Sequence, residues 1–301
     1  MTSTSIATGG DQGELAGLDE RAGRFGSFAR TVLGDRTLLG GTLMLVGLAL
    51  VGVLGRAFWP HDPLGVDLGA SLARPSGSHP MGTDALGRDI FARWCEGAEI
   101  SLGVGVLVTV VGAVLGAAVG LISGTSSALV DNILMRAMDA VLAFPALLLA
   151  MAVTLGLGVG IRTATIGIII PTIPWYARLI RSDVLRIRAM PFVEATVTLG
   201  ARRSRTLIRH VLPHTIPTLA VQAGAVFIYA ILTLAALGFV GLGAQVPTPE
   251  WGSMITDGLG SALTGQWWLT FFPGLGLLLA ATAANVIADR VRDILDPKTQ
   301  T

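Results

Sequence analysis

Lysine is almost missing from this 301-residue chain: Lys298 is the only one, and it follows Pro297. A nucleotide-binding loop of the form Gly-x-x-x-x-Gly-Lys-[Ser/Thr] needs that lysine to reach phosphate and glycines to let backbone N–H groups close around it. This chain cannot supply one. Cysteine is equally scarce; Cys95 stands alone, which excludes an intrachain disulfide and a cysteine metal cluster. Of four histidines, His210 and His214 are four apart, but Pro213 interrupts them and no nearby carboxylate completes a site. His61 and His79 read as polar groups of a loop, so no metal site is expected. Neither H-E-x-x-H nor G-x-S-x-G occurs, and metalloprotease and hydrolase chemistries therefore lack their ligands or nucleophile. Charged residues make up 14% of the chain, against about 25% in a soluble domain. With a net charge of +1 and its basic residues dispersed, the chain has no nucleic-acid footprint.

What remains is apolar. Hydrophobic residues reach 52%, glycines number 39 and mean hydropathy is +0.68, the composition of an integral membrane protein. Runs of about 20 apolar residues, enough for about 30 Å of hydrocarbon, fall at about 38–58, 100–123, 133–157, 162–181, 216–243 and 266–288. The expected fold is an all-α bundle of six transmembrane helices. Sixteen Lys and Arg residues lie on the side of both termini and five, Arg56, Arg74, Arg88, Arg93 and Arg162, on the other. The positive-inside rule then puts both termini of a multi-pass membrane protein in the cytoplasm. The loop 59–99 is outside and the loop 182–215 inside. Residues 1–36 form a cytoplasmic tail. Asp11, Glu14, Asp19 and Glu20 argue against a cleaved signal, Met1–Gly17 has a disordered composition, and the Arg-studded stretch from Arg21 suits a helix on the membrane surface. The span-bearing domain is 37–297, followed by a tail at 298–301.

Several residues within the spans stand out. Gly112, Gly116 and Gly120 give two overlapping GxxxG patterns, suited to close helix packing. Arg136 and Asp139 are three apart and can pair on one helix face, as a structural pair or as part of a transport path. Pro171 and Pro174 should bend the fourth span, as a static kink or a gate. Tyr229 and Gln222 are the most polar side chains of the fifth. In the outer loop, Thr83 or Asp84 can cap a helix whose face is Leu86, Ile90, Phe91 and Trp94. Trp251, Trp267 and Trp268 suit an interfacial position.

The segment Glu194 to Pro213 is polar and basic between apolar runs. Phe192, Ala195 and Leu199 share one helix face, and Leu207, Ile208, Val211 and Leu212 make a second beyond Gly200. Each piece is shorter than the 12–15 or so residues at which an isolated helix becomes marginal, so something else must hold the helix-turn-helix. Glu194, Ala195, Gly200, Leu212 and Pro213 resemble the EAA motif of bacterial ABC importer permeases, with His210 as in the peptide importers. HPMGTDALGRD from His79, GLGAQVPTPEWG from Gly241 and DRVRDILDP from Asp289 resemble further signatures of C-type permeases of the dipeptide, oligopeptide and nickel importers. Met135, Arg136, Asp139, Ala143, Phe144 and Pro145 match another of the family's motifs. Glu99 stands where that family more often has arginine.

The resemblance implies a permease subunit, not an enzyme, importing di- or oligopeptides; nickel, glutathione and other small substrates belong to the same family. It implies no cofactor on this chain, ATP and Mg on two ATPase subunits, a second homologous permease, an extracytoplasmic substrate-binding protein and surrounding lipid. Phe192, Glu194, Ala195, Leu199, Gly200, Leu207, His210, Leu212 and Pro213 would couple to the ATPase. Asp139, Pro171, Pro174 and Tyr229 are candidates for the pathway or its gate. A secondary transporter working through Asp139 is the rival reading.

Overall fold

The computed structural model describes residues 35–191 and 211–295. The expected surface helix near residue 21, most of the helix-turn-helix (Phe192 to His210) and the C-terminal tail lie outside the described residues. Among those described, the helices in chain order are α1 (Arg36–Phe58), α2 (Ile90–Thr125), α3 (Ala128–Leu142), α4 (Ala146–Leu157), α5 (Ile161–Arg188), α6 (Leu212–Phe239), α7 (Trp251–Ala262) and α8 (Trp268–Leu295). A short 3-10 turn covers Leu68–Ala70. Where the solvent is hydrocarbon, a helix satisfies its own backbone, which is why the apolar runs take this form.

Helix starts follow local chemistry. Asp35 accepts from the amides of Thr37 and Leu38 at 2.9 and 3.0 Å and caps α1. Asp89 caps α2 through the Ala92 amide at 2.7 Å. The expected cap at Thr83 or Asp84 is thus displaced: Thr83 bridges to Asp89, and Asp84 binds Arg88 at 2.6 Å. Leu86 falls outside the helix. α2 begins ten residues before the apolar run because its polar first turns are buried against α7 and α8, where Trp94 lies on Trp251 at 5.4 Å.

Five helices are long and apolar enough to cross a membrane: α1, α2, α5, α6 and α8. The expected third span is not one helix. α3 and α4 meet at 88°, and the count reaches six only when this bent pair is taken as one broken span. Pro145 stands between them, lacking the N–H that would continue the ladder. Pro171 and Pro174, by contrast, lie buried within an α5 that runs unbroken from Ile161 to Arg188.

The centre of the bundle is the α2–α5 crossing, and the glycine pattern creates it. A Cβ on Gly116 would stand 2.4 Å from the Tyr176 Cβ, and one on Gly120 2.6 Å from the Ala177 carbonyl oxygen. Without side chains there, the two backbones meet directly. Where α2 and the loop before it meet α7 and α8, indoles fasten the layers. Trp94 donates to the Phe272 carbonyl at 3.0 Å, Trp251 to that of Trp94 at 3.1 Å and Trp268 to that of Thr83 at 3.3 Å. Trp251 and Trp268 are therefore core residues rather than interfacial ones; only Trp267 of the three is exposed, at 53%.

Candidate coupling and translocation site

The last turns of α5, just before residues 192–210, carry Arg181, Asp183, Arg186 and Arg188. Arg181 forks onto Asp131 of α3, with Nε and Nη2 at 2.6 and 2.5 Å from the two carboxylate oxygens. Ser123, near the end of α2, donates to the same carboxylate. Arg188 donates to the Gly124 carbonyl at 2.5 Å. On the other side Asp183 receives the Thr218 hydroxyl of α6 and the Arg186 guanidinium, the latter at 3.1 Å. Such bidentate, charge-assisted contacts fix orientation as well as distance. They tie α5 to the α2–α3 turn and to α6 just before the chain enters the segment.

The chain emerges onto the same apolar cluster that it left. Ile180, Val184, Ile187, Val211 and Ala117 pack together, all buried. Pro213 occupies the first turn of α6, where its missing N–H breaks no helix bond. Ile187 near the end of α5 and Val211 just before α6 thus share one cluster.

Asp139 does not pair with Arg136. Its partner is Arg178 of α5, at 2.5 Å, with the two side chains 57% and 51% exposed. A contact three residues along one helix is worth only about 0.2–0.5 kcal/mol, and the guanidinium from the neighbouring helix takes the carboxylate instead. No residue of α3 is buried, though Leu129 and Ile133 are apolar. Further along α5, Trp175 meets the edge of Tyr229 from α6 at 4.7 Å.

At the opposite end Glu250 is fully buried and opens α7. It accepts from the amides of Gly252 and Ser253 at 2.8 and 3.0 Å and from the Ser101 hydroxyl of α2 at 3.2 Å. Burial pushes its carboxyl above the ordinary range, against the opposing pull of those three donors.

Residues 116–301 match the model of the binding-protein-dependent transport system inner membrane component. The chain belongs to that family. This transport component is 40% identical over 256 residues to a probable D,D-dipeptide transport system permease of Escherichia coli K12, covering 85% of this chain and 86% of that one. It is 44% identical over 265 residues to a probable peptide ABC transporter permease of Sinorhizobium fredii, covering 87% and 89%. A glutathione transport system permease of Pectobacterium atrosepticum is 36% identical over 258 residues, covering 84% and 85%. In fold it resembles an inward-facing structure of the MetNI methionine ABC transporter, with TM-score 0.57 and 17% identity, over 68% of this chain and 97% of that one.

For this membrane component, the described residues place Leu212 and Pro213 at the segment's exit, Pro171 and Pro174 inside the α2–α5–α6 core, and Asp139 on an exposed face. The residues that sequence reading passed over are Asp131, Arg178 and Arg181 as pair partners, and Glu250. Glutamate is not among the preferred capping residues, and the fork from Arg181 to Asp131 joins positions that no helical spacing relates.

Glu250 yields a pH prediction. Because the folded state holds its proton more readily than the unfolded chain does, the group's contribution to stability falls as pH rises from the unfolded value, about 4.3, through the raised folded one. Glu250→Gln keeps an acceptor for the α7 amides without the charge. Its melting temperature in detergent should equal or exceed that of the natural protein at neutral pH, with a flatter dependence above about pH 4.3. A variant that melts far lower than the natural protein at neutral pH but not at acid pH would mean that the ionised carboxylate is required.

Proposed function

We propose that this chain is one of two homologous permease halves of an ATP-driven importer of short peptides. The observation that carries this reading is the joining of the two helices that flank residues 192–210: Ile187 of α5 and Val211 before α6 share one cluster, and α5 is clasped to α3 and α6 beside it. A motif-bearing loop held this way can receive force and pass it to three helices at once. The chain has no phosphate-binding lysine, so two ATPase subunits carrying ATP and Mg supply the energy. The distribution of arginines puts that segment, and both termini, on the cytoplasmic side.

In this reading the domain 37–297 alternates between inward and outward access as the ATPases close and reset. Phe192, Ala195, Leu199 and Leu207 fill a cleft on the ATPase, Glu194 and the cluster Arg202, Arg203, Arg205 and Arg209 make polar contacts, Gly200 forms the turn, and His210, Leu212 and Pro213 lead the motion into α6. The exposed face of α3 and α4, with Asp139, meets the second permease and the pathway. An extracytoplasmic binding protein delivers the substrate. Peptide permeases among the relatives favour peptides, and the glutathione permease, whose named substrate is itself a small peptide, marks the alternative.

Purification from native membranes should bring down a second permease and an ATP-hydrolysing chain. Vesicles containing that assembly and its binding protein should take up labelled dipeptide only with ATP inside. Uptake driven by an ion gradient, with no ATPase present, would favour the secondary transporter acting through Asp139. Competition by unlabelled glutathione separates the two substrate classes.

A further inference from the structure

The two histidines of the 59–89 loop, unremarkable in sequence, are brought together with a carboxylate. His61, His79 and Asp89 each offer one donor atom, and these three atoms lie within 4.8 Å of one another. His79 Nδ1 is 2.7 Å from Asp89 Oδ2, and the rings of His61 and His79 have their centroids 4.7 Å apart, tilted by 34°. From these positions we propose that His61, His79 and Asp89 form a binding site for a divalent transition-metal cation of the zinc class, beside the start of α2. The inference stands apart from the transport reading and concerns a resident ion, not cargo.

Two imidazoles and a carboxylate are a donor set that suits such a cation, and three protein ligands leave a fourth position for water. Tetrahedral bonds of about 2.0–2.1 Å put donors about 3.3 Å apart. The present spacings, 2.7 Å at the shortest and 4.8 Å at most, straddle that value. A cation there would take the place of the direct His79 Nδ1–Asp89 Oδ2 hydrogen bond.

The surroundings hold the donors in place. Asp89 uses its other oxygen to cap α2 at Ala92, which fixes the carboxylate without occupying Oδ2. The carbonyl of His79 accepts from the amides of Ser76 and Gly82 at 2.8 and 2.9 Å, and its own amide donates to the Ser76 hydroxyl at 3.2 Å. Trp59 flanks the His61 ring at 5.9 Å. His61 and His79 are partly exposed while Asp89 is buried, an open approach on one side of a closed back. The donors come from the start of the loop, its middle and the residue that caps α2, so a bound ion would staple the loop to the bundle.

The test uses the full chain in its assembly, purified without a polyhistidine tag and stripped with a chelator. Equilibrium dialysis against zinc chloride should load one zinc per chain, and cobalt(II) should give the visible d–d bands of a low-symmetry nitrogen and oxygen site. His61→Ala leaves the His79–Asp89 pair and the α2 cap untouched; its metal-free melt should match that of the natural chain while zinc affinity falls at least about tenfold. Asp89→Asn, which retains a capping oxygen, should weaken zinc similarly. Equal zinc binding by the natural chain and both variants, or none by the natural chain, overturns the proposal.

Discussion

Gly120→Leu is expected to leave almost no folded protein in detergent, whereas Gly103→Leu should accumulate and melt normally. The two glycines lie on one helix of mixed surroundings. At Gly103 nothing stands within 4 Å of an added Cβ. At Gly120 the Cβ alone would be 2.6 Å from the Ala177 carbonyl oxygen, 2.9 Å from the Ile180 Cβ and 3.0 Å from the Arg181 amide. Two of those neighbours are backbone and cannot rotate away. Overpacking an ordinary core costs about 1–3 kcal/mol; here α2 and α5 must separate along a glycine line that also includes Gly112, Gly116 and Gly124. In lipid, packing of this kind is a main source of helix association, since burial from water contributes little. Gly120→Ala should fall between, with a lowered melting temperature. Size-exclusion profiles and thermal melts of the three variants decide it, and a well-behaved Gly120→Leu would refute direct backbone contact at this crossing.

Much of the bundle was legible because hydrocarbon-length apolar runs answer to composition alone. The cores of α1, α5, α6 and α8 fall where those runs lie, and the glycine line in α2 does pack. The errors share one physical origin, the dependence of a residue on neighbours distant in sequence. Arg93 and Trp94 belong to a spanning helix although their stretch is polar, since Trp251 and the Phe272 carbonyl wait for Trp94 across the bundle. Trp251 resembles an interfacial tryptophan until α7 folds inward and buries it completely. Asp139 has a basic residue three positions away, yet a guanidinium from α5 reaches it. Proline shows the limit from another direction: Pro145 ends a helix and Pro171 does not, and only the packing around each tells them apart. Likewise His61 and His79, eighteen positions apart in sequence, acquire a shared chemistry only through the fold.

In the proposed importer, Gly200→Val should preserve ATP hydrolysis and insertion while uptake collapses. Gly200 separates two short apolar-faced pieces, and a turn between them is where a residue without a Cβ is most needed; valine, branched at Cβ, restricts that turn most severely. The change lies outside the Arg181–Asp131 fork and the Ile187–Val211 cluster, so the bundle should melt as before. What fails is transmission. On that proposal, force entering at Gly200 passes to α5 and α6 and from α5 to α3 through Asp131, and a misdirected turn delivers none of it. Coupling free energies of about 1–3 kcal/mol correspond to about 5–150-fold, which sets the expected loss of ATP-dependent uptake at an unchanged hydrolysis rate. Both rates are measurable in the same proteoliposomes. Normal uptake by Gly200→Val would remove the turn from the coupling path, and loss of hydrolysis together with uptake would point to failed assembly with the ATPase rather than failed transmission.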